Sequence, residues 1–228
     1  MYKNLYSYGC SHSVGTTIRE TLTPFGSYLS DLLEVKNFVN RAKNSSGNEF
    51  NRKTLISDIL SNKIKDDSFI LFQLTEYHRR SYELVSNKEQ VNSARHIDGD
   101  VGDINKIVHT MTEVFNRDDE DYDKELNDYV ETYHKRLSGD KYIMFDDVFS
   151  THSILESLSY KFNNLNFLII SWPEVKYPFK SFVPLSDLFK WSIFNELTRN
   201  DIYNDKDYHL SSEGHKELAQ KIFNILQK

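Results

Sequence analysis

A serine near one end of the chain and an aspartate–histidine pair near the other are the residues best suited to catalysis. Ser11 lies in the stretch Tyr8-Gly9-Cys10-Ser11-His12-Ser13, after a strand-like segment and before a helix-like one. A serine among small residues at the carboxyl end of a strand is typical of the place where an open α/β sheet presents a nucleophile. Asp207 and His209, just ahead of the last helix-like segment, are the partners that such a serine needs.

Each of these features has a simpler interpretation when it is taken alone. Ser11 at a strand-to-helix turn could act only as a helix N-cap, and His209 could be a surface histidine ahead of a helix. Together they favour catalysis, because histidine is the side chain whose ordinary pKa lies closest to neutral. Asp207 can reach the same imidazole from a tight loop, and Asp205 is a competing candidate for that role.

The first 75 residues alternate between strand-like and helix-like patterns. Strands are predicted at 3–8, 35–39 and 69–74, and helices at 17–33, with a break at Pro24, and at 52–63. The third strand is a continuous apolar run, as expected for a strand buried on both faces of a parallel sheet. This order predicts an α/β fold with a mostly parallel, doubly wound sheet.

The pattern changes after the third strand. We predict one domain over residues 1–228, with a helical insertion at 76–140 that contains helix-like pieces at about 104–115 and 126–137. A long helix at 144–162, a fourth strand at 167–170 and a last helix capped by Ser211 or Ser212 follow. Residues 174–206 give no clear pattern, and their aromatic side chains could line a pocket or belong to the core.

The composition limits which binding partners and which cellular location we expect. The 228 residues include 28 basic and 34 acidic side chains, a net charge of −6, so we expect no nucleic-acid partner, because such binding needs a basic face. No apolar run approaches the roughly 18 residues of a membrane span, and no apolar signal region is apparent. We therefore expect a cytoplasmic protein without membrane association. The single cysteine, Cys10, fits a reducing compartment and is predicted to be a buried thiol.

Three further features are predicted to be of minor importance. Residues 98–103 resemble a calcium-binding loop only superficially, since the glutamate at its twelfth position is missing, so we expect neither a metal ion nor a cofactor. His12 is expected to be exposed, the default for a polar residue in a turn, although it could line a pocket. His215 is expected to pack or cap on the last helix.

Four sequence blocks occur in the order found in one hydrolase family. The stretch Gly9–Ser13 matches G-D-S-x-S with one substitution, and the stretch 207–215 matches D-x-H followed by L-S-x-x-G-H. Two weaker matches are 40–45, for N-x-G-x-x-G, and 73–76, for G-x-N-D. On these blocks the chain resembles the SGNH (GDSL-type) hydrolases, particularly a divergent branch with G-C-S in place of G-D-S.

The resemblance implies a three-layer α/β/α, flavodoxin-like fold and a serine esterase. Ser11 would be the nucleophile, His209 the general base and Asp207 the residue that orients the imidazole. The oxyanion hole would combine the Ser11 amide with the positions of Ser45 and Thr75. Asn48 could substitute from the neighbouring loop.

Two functions from different classes follow from this sequence. The first is hydrolysis of a small ester, with an O-acyl group on a carbohydrate or similar polar compound as the favoured substrate, although a thioester would suit the same residues. The second is a non-catalytic binding or assembly module that has lost a complete oxyanion hole. Because the divergent branch looks like proteins carried by phages and their hosts, a virion-associated role belongs to this second reading. The sequence does not predict an oligomeric state.

Overall fold

The computed structural model describes residues 2–15, 22–44, 46–75, 80–84, 97–98, 106–110, 141–172, 177–185, 188 and 209–227. In chain order the elements are β1 (Asn4–Tyr8), α1 (Ser11–Val14), α2 (Phe25–Leu32), β2 (Asn37–Asn40), α3 (Asn48–Leu60), β3 (Ser68–Leu74), β4 (Arg80–Leu84), β5 (Ile97–Asp98), β6 (Lys106–Thr110), α4 (Lys141–Lys161), β7 (Asn166–Ser171), β8 (Phe182–Pro184) and α5 (Ser212–Leu226). Among the described helices, none is both long and apolar enough to cross a membrane.

Among the described residues, five parallel strands form the main sheet, in the order β2-β1-β3-β7-β8. Strand β1 lies between β2 and β3, with Leu5 opposite Phe38 on one side and Phe69 on the other. Because all five strands run in the same direction, their carboxyl ends share one edge of the sheet. The residues that follow β1, β3 and β7 are therefore brought together there.

Apolar side chains cover both faces of this sheet and make three layers. On one face, Phe69 and Leu71 of β3 pack in a cluster that includes residues of α2 and α5. On the other face, Ile70 and Phe72 belong to a cluster with residues of α3 and α4. The alternation along β3 follows from the two-residue period of a strand, and it confirms the predicted α/β/α arrangement.

Most of the predicted elements are present, with shifted ends. The four predicted strands correspond to β1, β2, β3 and β7, and the long helix at 144–162 is α4. Helix α3 begins four residues earlier than the apolar pattern indicated, and Pro24 is the N-cap of α2. Strand β8 was not predicted, because its three residues lie in the irregular aromatic region.

The predicted helix at 104–115 is wrong at Lys106–Thr110, which forms strand β6. This strand pairs in antiparallel fashion with β4 and with β5, in a second sheet of three strands. Ile107 and Val108 are compatible with the apolar face of a helix, but β-branched residues also favour a strand. The strand forms here because β6 pairs with β4 and β5. The other predicted helix of the insertion, at 126–137, lies outside the described residues.

A buried carboxylate joins β1, the segment after β2, and α3. Asp58 of α3 is 1% exposed and accepts two hydrogen bonds from the Arg41 guanidinium, at 2.7 and 2.9 Å. The Tyr8 hydroxyl donates to the same carboxylate at 3.0 Å, and Lys63 Nζ lies 3.4 Å from it. Burial, together with the Asp58 charge, raises the pKa of Tyr8 well above its usual value, so its hydroxyl remains a donor.

Replacing Asp58 by alanine is expected to destabilise the protein strongly. Arg41 and the Tyr8 hydroxyl would lose their acceptor, and leaving such groups unpaired typically costs about 3 kcal/mol. Urea unfolding of wild type and Asp58→Ala measures the difference. Glu217→Ala, which removes the exposed ion pair with Lys221, is the matched control and should change the unfolding free energy by less than about 1 kcal/mol. Equal small effects from both substitutions would contradict the role given to Asp58.

Candidate active site

A sharp turn carries the chain from β1 into α1 and places Ser11 at the sheet edge. Cys10 has an extended backbone and is the N-cap of α1, and Gly15 ends this single turn with a left-handed φ of 80°. Ser11 is the first helical residue, so its amide N–H has no acceptor within the helix. We call residues 9–13 the nucleophile loop, after the role predicted for Ser11 from the sequence. It is the structural counterpart of the strand-to-helix turn predicted from the sequence.

Gln73, near the end of β3, contacts the nucleophile loop at two of its residues. Its side-chain oxygen accepts a hydrogen bond from the Ser13 hydroxyl, and its nitrogen lies 3.5 Å from Cys10 Sγ. A Cβ atom at Gly9 would lie only 2.8 Å from Gln73 Oε1, so this close approach requires glycine. Cys10 is fully buried, as predicted. No role for Gln73 was predicted from the sequence, in which it begins the weak match at 73–76 and interrupts an apolar strand with an amide.

Asn40, the last residue of β2, and Ser46, in the segment after it, also bond to this loop. The Asn40 side-chain amide donates to the Ser13 carbonyl oxygen at 2.9 Å. The Ser46 hydroxyl, which is fully buried, donates to the Gly9 carbonyl oxygen at 2.9 Å. The loop is therefore fixed by groups from both strands that neighbour β1.

His209 lies directly against Ser11, although 198 positions separate them in the sequence. The distance between His209 Nε2 and Ser11 Oγ is 2.7 Å, which is within hydrogen-bonding range. The backbone just after His209 is anchored, because Leu210 is buried and Ser211 caps α5 by accepting a bond from the Gly214 amide at 3.0 Å. Asp207 and Asp205, the two candidate orienting residues, lie outside the described residues.

The His209 ring is one of three stacked rings, with His12 in the middle and Trp172 at the other end. The ring centroids of His12 and Trp172 are 3.8 Å apart, and those of His12 and His209 are 4.6 Å apart, with interplanar angles of 21° and 28°. We call His12, Trp172 and His209 the ring stack. The expectation that His12 is exposed is wrong, since only 5% of its surface is accessible. The two rings beside it, one of them at the end of β7, cover it.

Asn48 and Thr75, two of the predicted oxyanion residues, are hydrogen-bonded to each other. Asn48 donates to the Thr75 carbonyl at 3.1 Å and to Asp147 at 3.0 Å, and its own oxygen accepts from the Thr75 amide at 2.8 Å. Both amide hydrogens of Asn48 and the Thr75 backbone amide are thus engaged in a buried bridge between α3, β3 and α4. Arg52 pairs with the same Asp147 carboxylate at 2.7 Å. Ser45 lies outside the described residues.

His215 of α5 is a buried neighbour of the site. It is 1% exposed, stacks on Phe25, and accepts a hydrogen bond at Nδ1 from the Phe25 amide at 3.2 Å. Burial, and to a smaller extent the nearby His209, lowers the pKa of His215 to about 4. It therefore joins α5 to α2 as a neutral side chain. Within the described ranges, no group of three or more His, Cys, Asp or Glu residues could hold a metal ion.

Comparisons with known proteins support this description at the level of the fold. No protein-family model and no curated protein sequence matches the chain. Among solved structures, the chain is similar to a protein from Desulfitobacterium hafniense DCB-2 that is assigned to the G-D-S-L family of lipolytic proteins. The TM-score is 0.54 at 9% sequence identity, over 98% of this chain and 99% of the other. The two proteins share a fold.

The parallel sheet of this shared fold accounts for the meeting of the nucleophile loop with the start of α5. In a parallel sheet of this kind, the loops at the carboxyl edge form the binding crevice. The likeness covers nearly the whole of both chains, so it includes both ends from which Ser11 and His209 come.

The buried His215 is expected to make stability fall as the pH is lowered from about 6.5 to 4. In this window the unfolded chain takes up a proton at His215, with an ordinary pKa near 6.5, while the folded chain does not. The unfolding free energy should therefore decrease by about 3 kcal/mol on this account. Comparing urea unfolding of wild type and His215→Asn between pH 7 and 4 isolates the effect, because asparagine keeps an acceptor and does not titrate. Parallel curves for the two proteins would refute it.

Proposed function

We propose that this protein is a serine hydrolase that cleaves carboxylic esters. The observation that carries the proposal is the 2.7 Å contact between His209 Nε2 and Ser11 Oγ, which joins a candidate base to a candidate nucleophile at the carboxyl edge of the sheet. The resemblance of the two outer sequence blocks to the SGNH hydrolases and the shared G-D-S-L-type fold support it.

The reaction that these residues would carry out has two steps. Ser11 Oγ attacks the ester carbonyl carbon while its proton passes to His209 Nε2, and the protonated imidazole then gives that proton to the departing alcohol. This leaves an acyl group on Ser11. Water, deprotonated by the same Nε2, attacks the acyl carbonyl, and the carboxylic acid leaves as Ser11 regains its proton.

A carboxylate on Nδ1 is the third requirement of this mechanism. For Nε2 to accept the Ser11 proton, the neutral imidazole must carry its hydrogen on Nδ1, and a carboxylate that accepts this hydrogen fixes the tautomer and stabilises the imidazolium. We assign this role to Asp207, two residues before His209, and we retain Asp205 as the competing candidate.

Stabilisation of the oxyanion depends on fewer donors than the sequence predicts. The Ser11 amide at the start of α1 is a suitable donor, but the Asn48 amide is engaged with Thr75 and Asp147. The remaining predicted donors are the Thr75 hydroxyl and the Ser45 amide. Loss of one such donor typically reduces turnover about a hundredfold or more. We therefore propose a slow esterase, which acts on a small ester such as an O-acyl group on a carbohydrate or on a thioester of similar size.

Replacing Ser11 or His209 by alanine should abolish ester hydrolysis. Hydrolysis of p-nitrophenyl acetate is measured across pH 5 to 9 for wild type, Ser11→Ala and His209→Ala. A fluorophosphonate probe that labels only activated serines is used in parallel. Wild type should be labelled at Ser11 and should hydrolyse the ester, and both variants should lose at least about a thousandfold in kcat.

Ser157→Ala is the control, since this exposed serine of α4 donates to the Ser153 carbonyl oxygen of its own helix and takes no part in the nucleophile loop. This variant should keep fluorophosphonate labelling. If wild type is neither labelled nor active, the engaged Asn48 amide would favour the second function, a non-catalytic binding or assembly module on the same fold.

Two aspartate variants distinguish the candidates for orienting His209. Asp207→Asn is expected to lower kcat by about 10⁴-fold, because an amide at this position favours the wrong tautomer of the imidazole. Asp205→Asn should stay within about threefold of wild type. The same p-nitrophenyl acetate assay measures both, and the reverse pattern would assign the role to Asp205.

A further inference from the structure

We propose that His12 is a positioning residue, whose ring holds the His209 imidazole in the plane in which Nε2 faces Ser11. The inference rests on the proposed esterase function and adds to it a residue outside the serine, histidine and aspartate. It starts from the ring stack, in which His12 contacts both His209 and Trp172.

Besides the carboxylate assigned to Nδ1, a contact on the ring face would constrain the orientation of the His209 imidazole. Leu210 and the Ser211 cap fix the backbone on one side of the residue, but they do not fix the ring. The second side-chain torsion of histidine has a broad preference, so the ring can turn while its backbone stays in place. A turned ring would move Nε2 away from Ser11 Oγ, and proton transfer depends on that short contact.

The His12 ring is well placed to supply the constraint. Its centroid is 4.6 Å from that of His209, with 28° between the planes. This arrangement leaves the imidazole little room to rotate out of the stack. His12 also directly follows Ser11 in the chain, so the nucleophile and the surface against which the base rests move as one unit. A shift of the nucleophile loop therefore carries the orienting ring with it.

Trp172 gives this surface a rigid support. It comes directly after β7, it is nearly buried, and its amide donates to the Leu74 carbonyl at the end of β3 at 3.0 Å. Its ring packs on His12 at 3.8 Å, the closer of the two stacking contacts. The stack thus runs from the sheet through His12 to His209. A flat ring at position 12 is the feature that both neighbours require.

The substitutions His12→Phe and His12→Leu separate the flat ring from the other properties of the side chain. Phenylalanine keeps a planar ring, whereas leucine fills a similar volume without one. In hydrolysis of p-nitrophenyl acetate we expect His12→Leu to lower kcat about tenfold with KM within about twofold of wild type. We expect His12→Phe to recover kcat to within about threefold. Equal losses in both variants, or no loss in either, would overturn the proposal.

His152→Leu is the matched control for the loss of stability caused by replacing any stacked histidine. His152 of α4 stacks on Phe179 with 3.9 Å between centroids and an interplanar angle of 18°, and it has no part in the ring stack. Its removal should lower the urea midpoint about as much as His12→Leu does while kcat stays unchanged. If His152→Leu lowers kcat as much as His12→Leu, the effect of His12 is only structural and the proposal fails.

A measurement that does not depend on turnover separates this proposal from the esterase assignment. The ring-proton NMR signals of His209, identified by their loss in His209→Gln, should carry ring-current shifts that change in His12→Leu and are largely kept in His12→Phe. If the shifts change in His12→Leu and are kept in His12→Phe but wild type hydrolyses no ester, the esterase function fails and the positioning of the imidazole stands. If wild type is active and neither the shifts nor kcat respond to His12→Leu, the esterase function stands and the role of His12 is refuted.

Discussion

The parallel pairing of β1 with β3 is the constraint on which the site depends. Tyr8 pairs with Phe72 at the ends of these strands, so the nucleophile loop begins beside Gln73. Only glycine at position 9 allows the two segments to come this close. Once the strands are in register, Gln73 and the Asn40 and Ser46 contacts fix the loop, and Ser11 is held at the edge of the sheet.

The second half of the site comes from the other end of the chain through helix packing. Helix α5 lies with α2 on one face of the sheet, and His215 joins the two helices through the Phe25 amide. The Ser211 cap then fixes where α5 begins, which sets the position of His209. The apolar layer on this face is thus responsible both for stability and for bringing the candidate base to the serine.

Local patterns in the sequence were sufficient to predict much of this arrangement. Strand alternation and buried apolar runs predicted the parallel sheet, and the D-x-H-L-S sequence predicted a histidine ahead of a capped helix. Contacts between distant segments could not be predicted in this way. The burial of His12 depends on Trp172, and the engagement of Asn48 depends on Asp147, 99 positions away. The strand β6 depends on its pairing with β4 and β5. In each case a partner that is far away in the sequence decides the outcome.

The burial of Cys10 has a consequence for how motion of the nucleophile loop can be followed. The thiol is fully inaccessible, it contacts Gln73, and it adjoins Ser11; it is also the only cysteine of the chain. A thiol-specific reagent can therefore react only with molecules in which this loop has opened. The rate of that reaction measures how often the nucleophile loop separates from β3, so Cys10 reports the opening of this loop without any added label.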